Sequence, residues 1–156
     1  GIVGKDTLEE SGADVFELAD LGFGHCRFVI AVPQQEAERN RAEDGSFAMG
    51  NLDHVRVATK FPNITKNYFR SIGLQVEVIK LHGNIELAPR VGIADVIVDI
   101  VSTGRTLKEN NLVAVQDMFE ATARLIANRV SYRMKNTLIQ DVAANIYDQS
   151  SKGVLL

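Results

Sequence analysis

Ala94-Asp95-Val96-Ile97-Val98-Asp99-Ile100-Val101 runs without a break into Ser102-Thr103-Gly104-Arg105-Thr106-Leu107. The first eight residues form a nearly continuous β-branched stretch, the composition of a strand covered on both faces. Two acids interrupt it, Asp95 and Asp99. Four residues apart, they project to the same face of a strand, and an acid in an apolar strand needs a partner. The strand then delivers the chain into a hydroxyl-rich loop. Successive backbone N–H groups in such a loop can converge on one anion, and Gly104 lets the backbone come close to it. The hydroxyls of Ser102, Thr103 and Thr106 add donors, and a helix starting just beyond would add partial positive charge. Asp99 is placed to accept hydrogen bonds from ribose hydroxyls attached to that anion. The competing reading is a plain turn with a helix cap.

Outward from this stretch, strand and helix signals alternate. Asp6-Thr7-Leu8-Glu9 has the pattern of a capping box, with Asp6 as N-cap of a short helix that Gly12 stops. Cys26 to Val32 reads as a strand ended by Pro33, and residues 34 to 50 as a polar surface helix or loop. Val55 to Thr59 is a short strand, and Thr65 is expected to cap a helix through Ile72, with Gly73 just past its end. Residues 74 to 79 alternate as a further strand. Asn84 is expected to cap a short helix ending near Gly92. Leu112 to Val115 and Arg124 to Arg133 are expected to be strand-like. Leu138, Val142 and Ile146 place an apolar stripe on a final helix. This alternation predicts an α/β fold with largely parallel sheet. If the fold has two lobes, the chain should cross between them through strands.

The bulk numbers fit a soluble globular chain: 156 residues, 46% hydrophobic, 24% charged, mean hydropathy near zero. A net charge of -3 argues against a nucleic-acid surface, so an anionic ligand would need a local site. No apolar run approaches a membrane span. The single cysteine, Cys26, excludes an internal disulfide and suits a reducing cytoplasm. The apolar opening Gly1-Ile2-Val3-Gly4-Lys5-Asp6 reads as the tail of a buried strand, so upstream sequence is expected.

Other candidates carry weaker signals. Glu86 stands near the start of a short helix, where an acid is also favoured by the dipole. Arg90 could face phosphates or solvent. Lys60, Asn63 and Lys66 lie in a strand-to-helix turn, where α/β proteins bind anions, but read first as solvated loop residues. His25, His54 and His82 lack metal-ligand spacing. Neither a nucleophile elbow nor a P-loop lysine motif occurs.

Leu81-His82-Gly83-Asn84-Ile85-Glu86-Leu87-Ala88-Pro89-Arg90-Val91-Gly92-Ile93-Ala94-Asp95, followed by Asp99 to Leu107, closely resembles the core signature of ATP phosphoribosyltransferases. Gly1 to Asp6, Leu21-Gly22-Phe23-Gly24 and Val57-Ala58-Thr59-Lys60-Phe61-Pro62-Asn63 agree. Only residues 34 to 50 fall outside the likeness. The resemblance implies a two-lobed α/β fold like the type II periplasmic binding proteins, with mixed, largely parallel sheets and the active site in the cleft between lobes. Residues 1–27 and 121–156 would form lobe I, with its N-terminal part missing, and 28–120 lobe II. It implies that Ser102, Thr103, Gly104, Arg105, Thr106 and Leu107 hold the 5-phosphate of phosphoribosyl pyrophosphate. Asp95, Asp99 and Glu86 would form an acidic cluster near the ribose, and Lys5, Asp6 and Arg90 are candidate nucleotide contacts. Mg²⁺ would come with the substrate. With one last helix and a short apolar tail, Gly153-Val154-Leu155-Leu156, the chain resembles the short form. That form implies a homodimer joined to a regulatory subunit similar to histidyl-tRNA synthetase, with no nucleic-acid or membrane partner. The competing function is a non-catalytic binding module of the same fold. A salvage-type phosphoribosyltransferase, which carries a similar loop on a different fold, is a third reading.

Overall fold

The computed structural model describes residues 1–151, with the side chains of the last three left aside; the apolar tail at 153–156 lies outside the described residues. The chain divides into two compact units, Gly1–Cys26 with residues from Glu120 onward, and Arg27–Phe119. Both boundaries fall inside strands.

The first unit holds a three-stranded sheet of β1 (Ile2–Gly4), β2 (Val15–Asp20) and β8 (Ala123–Asn128). β8 is central and antiparallel to both neighbours. Leu21, Ala123 and Leu125 form a buried apolar cluster here, with Phe23, Ala143 and Ile146 packed beside them. Helix α1 (Lys5–Ser11) starts one residue before the expected cap. Gly4 is the N-cap, and Asp6 lies in the first turn, where its charge suits the dipole. Gly12 ends the helix in the left-handed region, as expected. Residues 129 to 133, expected as strand, instead open α5 (Arg129–Met134). Asn128 Oδ1 accepts the Val130 and Ser131 N–H groups at 2.9 and 3.2 Å. That cap overrides the β-branched and aromatic preference of Val130 and Tyr132. The final helix, α6 (Asn136–Ser151), packs Ala143 and Ile146 inward. Leu138 and Val142 of the expected stripe are exposed instead, at 60% and 47%.

The second unit is built on a five-stranded sheet in the order β5-β4-β6-β3-β7. Its strands are β3 (Cys26–Pro33), β4 (Arg56–Thr59), β5 (Glu77–Lys80), β6 (Val96–Val101) and β7 (Leu112–Ala121). β4 is parallel to β5 and β6, whereas β3 runs antiparallel to β6. This sheet is thus mixed, with parallel pairing observed between β5, β4 and β6. β6 is central, and both of its faces are covered, as its composition demanded. One face packs Ile97 and Val101 with Val29, Ala31, Ile85, Ala88 and Leu107. The other packs Val96 and Val98 with Phe28, Ile30, Ile64 and Phe69.

Helix α3 (Pro62–Ser71) begins three residues before Thr65, because Pro62 suits the first helical position. Thr65 is therefore interior and fully buried, and its Oγ1 donates to Phe61 O at 2.8 Å. The polar stretch after β3 forms α2 (Gln34–Arg39) and a short 3₁₀ turn, Met49–Leu52. Asn84 does not cap with its side chain. It adopts the left-handed conformation before a single 3₁₀ turn, Ile85–Leu87. The strand expected from residue 74 pairs only from Glu77.

Candidate functional site

β6 ends at Val101, and Ser102 to Gly104 turn the chain into α4 (Arg105–Glu109). Gly104 makes the turn possible at φ +74° and ψ 5°, a region an L side chain rarely enters. Leu107, buried at 6%, anchors the far side of the turn in the core. None of the backbone N–H groups from Ser102 to Leu107 donates to a protein acceptor among the described hydrogen bonds. The hydroxyls of Ser102, Thr103 and Thr106 likewise show no protein partner among the described residues. Residues Asp99 to Leu107, with Glu86, line a cavity of about 280 Å³. With only five residues in α4, the amides of the turn supply most of the positive potential.

Asp99 is half-buried beside this cavity. Its Oδ1 accepts the Ile100 N–H at 2.9 Å. Burial pushes its carboxyl above the ordinary range, and the Glu86 charge adds to the effect. The Ile100 N–H and the Lys60 ammonium oppose it. Lys60 reaches this neighbourhood through the parallel register: Thr59 stands beside Val98, so the next pair along is Lys60 and Asp99. The turns after β4 and after β6 leave the same edge of the sheet. Crevices at the carboxyl ends of parallel strands are where α/β folds gather ligands.

Asp95 is placed elsewhere. It precedes β6, about 13 Å along the chain from Asp99 at strand spacing. Its Oδ1 pairs with Arg56 Nη2 at 2.8 Å, and its Oδ2 accepts Arg56 Nε at 3.1 Å and Arg56 N at 3.0 Å. Arg56 also donates to Gly92 O at 2.9 Å. The guanidinium holds the Asp95 carboxyl below its ordinary range. The two acids share a face of the strand but not a cavity.

Glu86 borders two cavities, the one at the loop and an open one of about 660 Å³ that also receives Arg90, Asn110 and Asn111. Lys5 belongs to the first unit and is held by Glu17 at 2.8 Å and Glu9 at 3.0 Å. The Glu17 and Glu9 hydrogen bonds raise its pKa. Asp6, next in the chain, lies against Gly4. The sequence reading passed over Arg56 and took Lys60 first as a solvated loop residue, and Lys60 is indeed exposed. The register that sets Arg56 beside Asp95 and Lys60 beside Asp99 comes from strand pairing, which one sequence does not display.

Two units joined through strands, mixed sheets and a hydroxyl-rich loop after a central strand define a periplasmic-binding-protein-like α/β chain. Solved structures support that class: the arginine-bound form of ArgBP from Thermotoga maritima matches with TM-score 0.56 at 15% identity over 86% of this chain and 59% of the other. The sulfonate-binding protein SsuA from Methylobacillus flagellatus matches with TM-score 0.59, also at 15% identity, over 99% and 49%. At such identity the fold alone is shared. The family model described as HisG, ATP phosphoribosyltransferase, matches residues 1–148, and the chain belongs to that family. A relative from Moorella thermoacetica named ATP phosphoribosyltransferase is 59% identical over 98% of this chain and 66% of its own length. One of the same name from Desulfitobacterium hafniense is 58% identical over 94% and 65%. The chain thus spans about two thirds of these relatives. The solved ATP phosphoribosyl transferase (HisG:HisZ) complex from Thermotoga maritima superposes with TM-score 0.77 at 34% identity, covering 96% of this chain and 70% of that one.

Proposed function

We propose that the chain acts as the catalytic subunit of an ATP phosphoribosyltransferase, joining ATP to 5-phosphoribosyl 1-pyrophosphate at the first step of histidine biosynthesis. One observation carries this reading: the unclaimed amides and hydroxyls of Ser102 to Leu107 surround a cavity that also presents Asp99. Amides without acceptors suit the 5-phosphate, and a carboxylate beside them suits the ribose hydroxyls. In the reaction the adenine N1 lone pair forms the bond to the anomeric carbon while the bond to pyrophosphate breaks. N1 carries no proton, so the chain need not supply a general base. The anomeric carbon gains oxocarbenium character, and the carboxylates of Asp99 and Glu86 are placed to stabilise that positive charge. The protein's other task is to hold two anionic substrates in reacting geometry.

Among the described residues no group of three His, Cys, Asp or Glu could hold a metal. Asp99 and Glu86 suit the hydrated face of a Mg²⁺ carried in by the substrate, where the ion would screen the pyrophosphate charge. Asp95, spent on Arg56, is assigned to holding the strands rather than to the ribose. The short form and its regulatory partner are supported by the complex from Thermotoga maritima. A homodimer within that assembly, and a cytoplasmic location where ATP is supplied, complete the proposal. No helix of the described residues is long and apolar enough to cross a membrane. The nucleotide contacts of Lys5, Asp6 and Arg90 remain part of this reading.

The test is phosphoribosyl-ATP formation by Asp99→Asn and Thr106→Ala in the complete protein. Asp99→Asn should lower turnover roughly 10²–10³-fold, the scale for removing one transition-state electrostatic contact. Thr106→Ala should cost less, because the loop offers many donors. Wild-type rates in both would remove the loop and the acid from the mechanism.

A further inference from the structure

Charged residues in and beside β4 and β6 repeat at one interval. Arg56 opens β4 and Lys60 follows its last residue, four positions on, while Asp95 immediately precedes β6 and Asp99 lies within it, again four apart. Since Val57 pairs with Val96 and Thr59 with Val98, each cation stands in register with one acid. Alternation along a strand puts all four on the same face. The two pairs are nevertheless used differently. Arg56 and Asp95 close on each other through three hydrogen bonds at one end of the strands. At the other end Lys60 lies within electrostatic reach of Asp99 but forms no ion pair or hydrogen bond among the described contacts.

The charges around the loop cavity bear on this cation. Two carboxylates face the space, Asp99 and Glu86. Arg105, the cation in the lining, pairs with Glu109 at 2.8 Å in an exposed contact one helical turn on. A ligand bearing phosphates would meet two negative charges and neutral amides unless a cation stood nearby. Lys60 is not among the residues that line the cavity, but it stands in register with Asp99, which is. Its compact ammonium on a flexible stem can turn from the carboxylate to a phosphate oxygen.

We propose that Lys60 is a substrate-contacting residue of the loop cavity, taking an anionic oxygen of the phosphoribosyl ligand, with the Arg56–Asp95 clamp as the positioning device that sets its register. This rests on the sugar-phosphate reading of the loop and adds to it the group that makes two acids compatible with an anionic ligand.

The experiment compares Lys60→Ala, Lys60→Gln and Lys60→Arg with Thr106→Ala in the complete chain. Calorimetric binding of phosphoribosyl pyrophosphate is read alongside steady-state kinetics. Lys60→Ala and Lys60→Gln should raise the dissociation constant at least tenfold and raise KM more than they lower kcat, with Lys60→Arg restoring most of the loss. The gap from wild type should narrow as salt is raised. Since Lys60 is exposed, circular dichroism should show all variants folded. Wild-type affinity in Lys60→Ala and Lys60→Gln, with Thr106→Ala impaired, would overturn the role of Lys60 and leave the loop reading intact. Wild-type affinity in all of them would overturn both.

Discussion

Replacing Gly104 by alanine separates strain from contact at the loop. A Cβ at this position meets nothing nearer than Val101 Cγ1 at 3.9 Å, an ordinary contact. Any cost therefore comes from the backbone, which sits at φ +74°. Holding an L side chain in the left-handed region costs about 1–2 kcal/mol. If the loop keeps its shape, the strain is stored, and a unit of this size should melt roughly 5–10 °C lower. If the loop relaxes, the amides swing away from the cavity instead. A hydrogen bond to a charged group is worth roughly 1.5–3 kcal/mol, so losing one weakens binding about ten- to a hundredfold. Differential scanning fluorimetry and titration with phosphoribosyl pyrophosphate, on Gly104→Ala and Gly104→Asn together, read both channels. Alanine should show at least one loss. Asparagine, which tolerates the left-handed region, should recover much of it. An alanine variant that melts and binds like wild type, or an asparagine variant worse than alanine, would refute the argument.

Asp95→Asn should lower turnover only a few-fold while making the chain less stable, the reverse of Asp99→Asn; equal catalytic losses in a side-by-side rate comparison would return Asp95 to the reacting centre. The Asp95 carboxyl is held low by Arg56, so its share of stability is present above the unfolded carboxylate pKa and fades as pH falls through the folded one. Acid titration of wild type should therefore lose stability that Asp95→Asn never had, with the two curves converging at low pH. Asn128→Ala removes the side chain that caps α5 and should cost about 1 kcal/mol in urea denaturation; an unchanged midpoint would show that packing alone starts that helix.

Much of the fold was legible because it follows from local chemistry. The β-branched run before Val101 could be satisfied only by cover on both faces, and β6 has it. Gly12 and Gly73 marked helix ends because their conformations suit few other residues. Errors came where two local signals competed. Pro62 outranked Thr65 as the start of α3, and the Asn128 cap turned a β-prone stretch into helix. The exposed Leu138 and Val142 show that an apolar stripe identifies a helix without saying which of its residues the fold covers.

The site divides along the same line. Amino-acid order alone put hydroxyls, Gly104 and Asp99 into one local segment, because nine consecutive residues cannot help being neighbours. Whether two acids four apart share a task was decided by tertiary pairing. Parallel register gave Asp95 to Arg56 and set Lys60 beside Asp99, joining residues 39 positions apart. Charges that far apart along the chain become partners only when a sheet aligns their strands, so their roles belong to the folded molecule.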